Sequence, residues 1–194
     1  MITYTNRKDV TYTLCKGVTK TGKPRYFFAR EPQGELVEAI PEGYEIRESV
    51  NGVVSLAKVR PGYILAEEVA VVAAAIQRHP RGRNYRMDVK PDRIDIYELV
   101  GGGMDEVLAI FDDVLTPELL TEFRADRERY GQYTAEMRFI LTDAEQRLFR
   151  AERMCYRSSV DGWRPLRVIG RAPIEHLARR LVPTLGTDAF FELY

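Results

Sequence analysis

Hydrophobic and polar residues alternate most regularly between Gln132 and Pro165. The apolar positions of the first half of this stretch recur at every second residue: Tyr133, Ala135, Met137, Phe139 and Leu141. A period of two is typical of a half-buried strand, and a second strand candidate follows after a short polar turn. Placing Phe139 opposite Ala151 also sets Arg138 opposite Glu152, whereas a shift by one residue sets Phe139 against a charge. The pattern therefore predicts a long hairpin in the first register, which also pairs Leu141 with Phe149.

Three further pairs of strand candidates flank short turns, and each pair predicts an antiparallel hairpin. They are Val10–Val18 with Arg25–Arg30, Tyr44–Ser49 with Val53–Val59, and Arg86–Val89 with Arg93–Leu99. Asn51-Gly52 favours a tight turn in the second pair, since both residues tolerate a positive φ. The first two hairpins together predict a four-stranded antiparallel sheet in the N-terminal third.

Helical periodicity predicts helices at Leu65–Arg78, at Met104–Val114, from Thr116-Pro117 to Tyr130, and after Pro173. The third of these helices has an apolar stripe that we expect to be buried: Leu119, Leu120, Phe123 and Tyr130. The predicted fold class is α+β, with antiparallel hairpins and about four packing helices. We expect 1–194 to form a single compact unit, with a division into 1–60, a β-sheet part, and 61–194, an α+β part, as the alternative.

Composition is typical of a globular protein. The 194 residues are 45% hydrophobic and 30% charged, and 29 basic residues balance 29 acidic ones, so no net field favours nucleic acid or membrane. The N-terminal residues lack the apolar segment of a signal peptide, and the longest apolar run, Val69–Ile76, is far shorter than a membrane span.

Cys15 and Cys155 are far apart in sequence, which favours two buried thiols in a reducing compartment, with one long-range disulfide as the alternative. We therefore expect a cytoplasmic protein.

Three segments resemble a family of uncharacterised prokaryotic proteins: KTGKPRYFFAR at Lys20–Arg30, IPEGYEI at Ile40–Ile46, and RLFRAERMCYR with DGW at Arg147–Trp163. The resemblance covers most of the chain, and it implies one stand-alone unit. It implies no activity and no catalytic or binding residue.

Candidate catalytic residues are few. Neither His79 nor His176 has the spacing of a metal site or of a catalytic triad, so we expect no metal, no organic cofactor and no nucleophile–histidine pair. This favours a non-catalytic protein. Glu136, Glu152 and Asp161 lie on or beside the long hairpin among arginines, a pattern typical of a solvated sheet face with cross-strand ion pairs. A catalytic carboxyl pair would need one pKa raised by burial, a property that the pattern does not reveal.

The glycine run Gly101–Gly103 follows a predicted strand and precedes a predicted helix, an order in which backbone N–H groups can bind phosphate. Asp105 and Glu106 then occupy the positive end of the helix dipole and would repel a phosphate. No lysine or serine lies where a nucleotide-binding loop needs one. A simple connection is the favoured interpretation, and a small phosphate-handling enzyme is an alternative function.

Basic residues are concentrated in two segments of the chain. We predict that they form a polyanion-binding surface, whose candidate residues are Lys16, Lys20, Lys23, Arg25, Arg81, Arg83 and Arg86. The aromatic run Tyr26–Phe28 lies beside the first group, a combination used by proteins that bind single-stranded nucleic acid. The hypothesis is a binding module for a polyanion such as single-stranded nucleic acid, with a protein–protein adaptor as an alternative. The competing interpretation is that the lysines only solubilise an exposed hairpin edge while the aromatic residues fill the core.

Overall fold

The computed structural model describes residues 1–101, 116–156, 161–167 and 169–193. Within them the strands are antiparallel and four α-helices are present, so the predicted α+β fold class is confirmed. The described residues form two compact units. The first contains residues of Met1–Arg60 and Glu118–Gly131, and the second contains the rest. The predicted behaviour of 1–194 as a single unit stays a prediction.

The sheet of the first unit is built around β2 (Thr11–Val18). One edge of β2 pairs with β3 (Pro24–Ala29), as the first predicted hairpin requires. The other edge pairs first with β1 (Thr3–Thr5) and then with β4 (Glu35–Leu36). β2 thus has neighbours on both edges, and its residues Leu14 and Cys15 are completely buried.

The second hairpin of the first unit forms a separate two-stranded sheet of β5 (Tyr44–Glu48) and β6 (Val54–Lys58). The hairpin itself is confirmed, but the prediction that it joins the first hairpin in one four-stranded sheet is wrong. β1 and β4 occupy the edge of β2 opposite β3, while β5 and β6 pair only with each other among the described strands. Polar side chains connect β5 to the N-terminal segment instead. The Glu48 carboxylate accepts hydrogen bonds from Tyr4 Oη at 3.0 Å and from the Arg7 backbone N–H at 2.9 Å.

The helix α2 (Pro117–Tyr130) begins and ends where the sequence predicts, but its buried stripe is much narrower than expected. Leu120 is buried, while the other three predicted members are 45–52% exposed: Leu119, Phe123 and Tyr130. Half of the 14 residues of this helix are charged, so little of its circumference can be apolar. Hydrogen bonds supply part of the attachment, because the Arg7 guanidinium donates to carbonyl groups of Glu128 and Gly131 at 2.9 and 3.2 Å.

The second unit contains a five-stranded antiparallel sheet with strand order β11-β10-β9-β8-β7. The strands are β7 (Tyr85–Lys90), β8 (Arg93–Leu99), β9 (Tyr133–Asp143), β10 (Leu148–Cys155) and β11 (Gly162–Pro165). The predicted register of the long hairpin is confirmed, because Phe139 pairs with Ala151 and Arg138 with Glu152. The Arg138 Nε atom lies 2.8 Å from Glu152 Oε2, so this cross-strand pair is also an ion pair.

One face of this sheet carries the apolar core, which α1 (Ala66–Arg78) and α3 (Ile174–Leu181) cover. Large core side chains are at most 2% exposed, and they include Ile94, Ile96, Met137, Phe139, Phe149, Ile174, Leu177 and Leu181. A 3-10 turn (Val182–Thr184) follows α3, and a short helix α4 (Asp188–Glu192) buries Phe190 while Phe191 stays exposed. The helix predicted after Pro173 is therefore confirmed, and its face with Ile174, Leu177 and Leu181 is buried.

A buried ion pair fixes the start of α1. Glu68 is 4% exposed, and its Oε1 atom accepts from Arg147 Nε at 2.9 Å. Its other oxygen accepts from the Leu65 backbone N–H at 2.8 Å, which caps the first turn. Arg147 lies in the loop between β9 and β10 and also donates to Tyr63 O at 3.0 Å. The long hairpin and α1 are thus held together by charged groups as well as by the core.

The helix predicted at Met104–Val114 lies outside the described residues. Among the helices of the described ranges, none combines the length and the apolar character needed to cross a membrane.

Candidate functional site

The first group of predicted basic residues surrounds the turn between β2 and β3, which we call the hairpin tip (Thr19–Lys23). The Thr19 backbone N–H donates to Lys23 O at 2.8 Å, and the Gly22 N–H donates to Thr19 O at 2.9 Å. Gly22 has a φ of +77°, a backbone conformation that residues other than glycine rarely adopt. Lys20 projects from the turn and Lys23 from its end, and both are exposed.

The register of the hairpin separates two of the predicted cations. Lys16 pairs with Tyr26, and Gly17 pairs with Arg25. Since cross-strand partners share a sheet face and successive residues alternate, Lys16 and Arg25 lie on opposite faces. Lys16 Nζ also lies 3.2 Å from Glu35 Oε2 of the neighbouring strand β4, so its charge is partly compensated.

The remaining three cations have no such compensation. Lys20, Lys23 and Arg25 are exposed, and none has a carboxylate partner among the described residues. Other basic side chains of the described structure do lie beside acids, such as Arg47 beside Glu45 at 3.9 Å. No acidic residue occurs between Asp9 and Glu31 in the sequence. The hairpin tip is therefore a local concentration of positive charge in a protein whose formal net charge is zero.

Aromatic side chains lie next to this charge. Tyr26, Phe27 and Phe28 are each half-buried. Phe27 packs against Gly17, where an added Cβ atom would lie 3.3 Å from Phe27 Cε1, and the Arg25 guanidinium lies 5.8 Å from the centre of the same ring. These rings contribute to the sheet surface while part of each remains accessible.

The second group of predicted cations belongs to the second unit. Arg83 lies in the 3-10 turn Gly82–Asn84 and lines a cavity of about 550 Å³. The Arg86 guanidinium lies over the Tyr133 ring at 5.0 Å, and Arg81 lies near the hydroxyl of Tyr85. The assignment of this second group to a polyanion site stays a prediction.

The glycine run that could bind phosphate is described only at its first residue. Gly101 has a φ of +78° and open space around it. Gly102 and Gly103 lie outside the described residues. The phosphate-handling hypothesis for this loop therefore also stays a prediction.

A carboxyl group in the second unit has properties that the sequence pattern did not reveal. Ile96 of β8 pairs with Met137 of β9, but the next residue, Tyr97, pairs with Ala135. Glu136 is therefore the extra residue of a β-bulge, a feature that re-aims side chains and is common next to active sites.

The surroundings of Glu136 disfavour its ionised form. Burial raises the pKa of Glu136 to about 7, the Glu98 carboxylate adds to the increase, and a hydrogen bond with Thr134 opposes it. The Tyr85 hydroxyl donates to Glu98 Oε1 at 3.3 Å, and burial followed by the Glu98 charge raises the pKa of this tyrosine. A carboxyl group that titrates near neutral pH can donate or accept a proton under physiological conditions.

His79 is held by two backbone groups, and the two cysteines are not bonded to each other. His79 is 8% exposed, its Nδ1 accepts from the Arg81 backbone N–H at 3.0 Å, and its Nε2 lies 3.1 Å from Leu185 O. This pattern defines the neutral tautomer with the proton on Nε2, and burial lowers the pKa of His79 accordingly. Cys15 and Cys155 are free thiols, the first buried and the second half-buried. No group of three or more potential metal ligands occurs among the described residues.

Comparison of the chain with protein-family models, with curated proteins and with solved structures finds no match.

Proposed function

We propose that the protein is a binding module whose hairpin tip engages a polyanion, with single-stranded nucleic acid as the ligand class. The observation that carries the proposal is the set of three exposed cations without carboxylate partners in the described structure: Lys20, Lys23 and Arg25. Phosphate groups compete poorly for cations that are already paired with acids, so uncompensated cations are the ones available for a polyanion.

The adjacent aromatic residues support single-stranded nucleic acid over other polyanions. Bases of a single strand can stack on an accessible ring while the phosphates contact nearby cations. Tyr26 is half-buried and shares a face with Lys16, and on the opposite face the Arg25 guanidinium lies 5.8 Å from the centre of the Phe27 ring, so each face presents one ring with one cation. On this proposal Lys16 contributes less than Lys20, Lys23 and Arg25, because Glu35 already lies 3.2 Å from it.

The proposal is tested by fluorescence anisotropy with a labelled oligothymidylate at low salt. We expect the variant with Lys20, Lys23 and Arg25 replaced by alanine to bind at least tenfold more weakly than the unchanged protein, since single-strand binding depends on phosphate contacts. The matched control removes the same number of exposed cations elsewhere: Arg164, Arg171 and Arg180. It should bind like the unchanged protein, which distinguishes a local site from a general effect of net charge.

A second variant tests the class of polyanion. Tyr26→Ala should weaken oligonucleotide binding, because stacking contributes about 1–3 kcal/mol per base, and it should leave binding to heparin unchanged. Equal losses for both ligands would indicate a polyanion site without base stacking. No association of the unchanged protein with oligothymidylate at micromolar concentration would contradict the proposal and favour the protein–protein adaptor.

A further inference from the structure

A groove with an apolar floor lies on the surface of the second unit, between α1 and α3. Its volume is about 680 Å³, within the range of small-molecule binding sites. The floor on the side of α1 consists of small residues on adjacent turns: Ala70, Val71, Ala74 and Ala75. Pro80, Ala178 of α3 and Pro183 of the following turn complete the apolar lining. Because these side chains are small, the two helices pack against each other in the core and still leave a channel above it.

The charges around the groove are separated along its length. His79, the residue after α1, lies 3.1 Å from the carbonyl oxygen of Leu185, so the C-terminal end of α1 lies next to the turn that contains Pro183. Arg78 therefore lies at this end. Arg179 lies one helical turn before Pro183 and one turn after Glu175, and Glu175 lies about 12 Å before Pro183 along the helix axis. The end of the groove at Arg78 is therefore cationic, Arg179 lies in the middle, and the single acid lies beyond it.

The two arginines are available to an anion. Both are exposed, and neither has a carboxylate partner among the described residues. Arg78 Nε donates to Ala74 O of its own helix at 3.1 Å, which holds the guanidinium beside the groove. An arginine fork matches the two oxygens of a carboxylate.

We propose that this groove binds an amphiphilic carboxylate, with its unbranched alkyl chain on the alanine floor and its headgroup at Arg78 and Arg179. The apolar part of the ligand is required because the helical backbone under the floor makes its own hydrogen bonds and offers none to a polar ligand. The carboxylate is required by the charge at the end of the groove. This site is independent of the hairpin tip, which belongs to the other unit.

Titration calorimetry of the full chain with hexanoate, octanoate, decanoate and dodecanoate below their micelle concentrations tests the proposal. Affinity should rise with chain length, by up to about fourfold for each added methylene. Dodecyltrimethylammonium should bind at least tenfold more weakly than dodecanoate, because its headgroup meets two cations. No binding of dodecanoate at 1 mM, or equal affinity for the two headgroups, would overturn the proposal.

Three variants locate the binding site. Ala74→Leu places a larger side chain in the groove and should abolish dodecanoate binding, whereas Ala125→Leu on an exposed face of α2 should not change it. Arg78→Gln and Arg179→Gln should each weaken binding by about two- to fivefold, as expected for exposed ion pairs. Arg180→Gln, on the same helix but outside the groove lining, is the matched charge control. Full binding by Ala74→Leu with a normal circular dichroism spectrum would contradict the assigned location.

Discussion

Replacing Glu136 by glutamine should stabilise the protein at alkaline pH and leave its stability unchanged at acid pH. The pKa of Glu136 in the folded protein is about 7, above its ordinary value of 4.5. Between these values the folded state binds more protons than the unfolded chain, so stability falls as the pH rises from about 4.5 through about 7. Glutamine keeps the shape and polarity of the protonated carboxyl group and cannot ionise. It therefore removes the part of the pH dependence that Glu136 causes.

The size of the effect follows from the difference between the two pKa values. A pKa shift of this size lowers the free energy of unfolding by about 3 kcal/mol at a pH above both values. The Glu136 side chain is only partly buried, so water screens its charge. We therefore expect the ionised carboxylate to lower the free energy of unfolding by only about 1–2 kcal/mol. Glu136→Gln should accordingly be about 1–2 kcal/mol more stable than the unchanged protein at pH 8.

Urea unfolding followed by circular dichroism at pH 4 and pH 8 measures this difference. Glu145→Gln is the control, because Glu145 is exposed in the loop between β9 and β10. It should change stability by less than about 0.5 kcal/mol at either pH. Carbon-13 NMR titration of the glutamate carboxyl groups gives a direct check, with one resonance titrating near pH 7 that is absent from Glu136→Gln. Equal stability of Glu136→Gln and the unchanged protein at pH 8 would refute the reasoning.

Two further predictions concern the fold. Arg147→Met should lower the free energy of unfolding by about 3 kcal/mol, because it leaves the Glu68 carboxylate buried without its partner. Arg150→Met, which removes a half-exposed arginine, should cost less than about 0.5 kcal/mol in the same urea titration, and equal losses would contradict this ranking. Gly34→Ala should be at least about 1 kcal/mol less stable than Gly43→Ala, since both have a positive φ but only at Gly34 would a Cβ atom lie 2.8 Å from a backbone carbonyl oxygen. Equal thermal midpoints for the two variants would show that the close approach does not matter.

The hairpins could be predicted from sequence because their information is local. In the long hairpin, a one-residue slip would place Phe139 against a charge, so the apolar pattern alone determines the register. The turn Asn51-Gly52 determines its own hairpin in the same way. The arrangement of the hairpins depends instead on distant segments. The short strand β4 returns to the edge of β2 through Gly34, whose close approach to Lys16 O no periodicity predicts.

The burial of the apolar stripe of α2 was mispredicted because it also depends on distant segments of the chain. An apolar stripe on α2 predicts burial only if another element covers it, and the periodicity does not identify that element. Leu120 is covered, while Phe123 remains exposed. The attachment through the Arg7 guanidinium could not be expected from a stripe, since it joins residues more than a hundred positions apart in sequence.

The sequence predicts some features of the cations near the hairpin tip, but it does not predict the environment of Glu136. The predicted turn locates Lys20, Lys23 and Arg25 on or beside the end of a hairpin, where the structure exposes them, but the sheet face of each residue depends on the register. Glu136 occupies a polar position in an alternating strand, which favours a solvated side chain. The bulge and the charge of Glu98, from a strand 38 residues earlier, change its environment, and neither leaves a local signal.

The salt dependence of oligothymidylate binding tests the proposed polyanion site most directly. For single strands, each neutralised phosphate contributes about −0.7 to the slope of log K against log salt concentration. If Lys20, Lys23 and Arg25 each contact a phosphate, replacing all three by alanine should flatten the slope by about 2 units. The control lacking Arg164, Arg171 and Arg180 should keep the slope of the unchanged protein. The same slope for the hairpin variant and the unchanged protein would contradict the account.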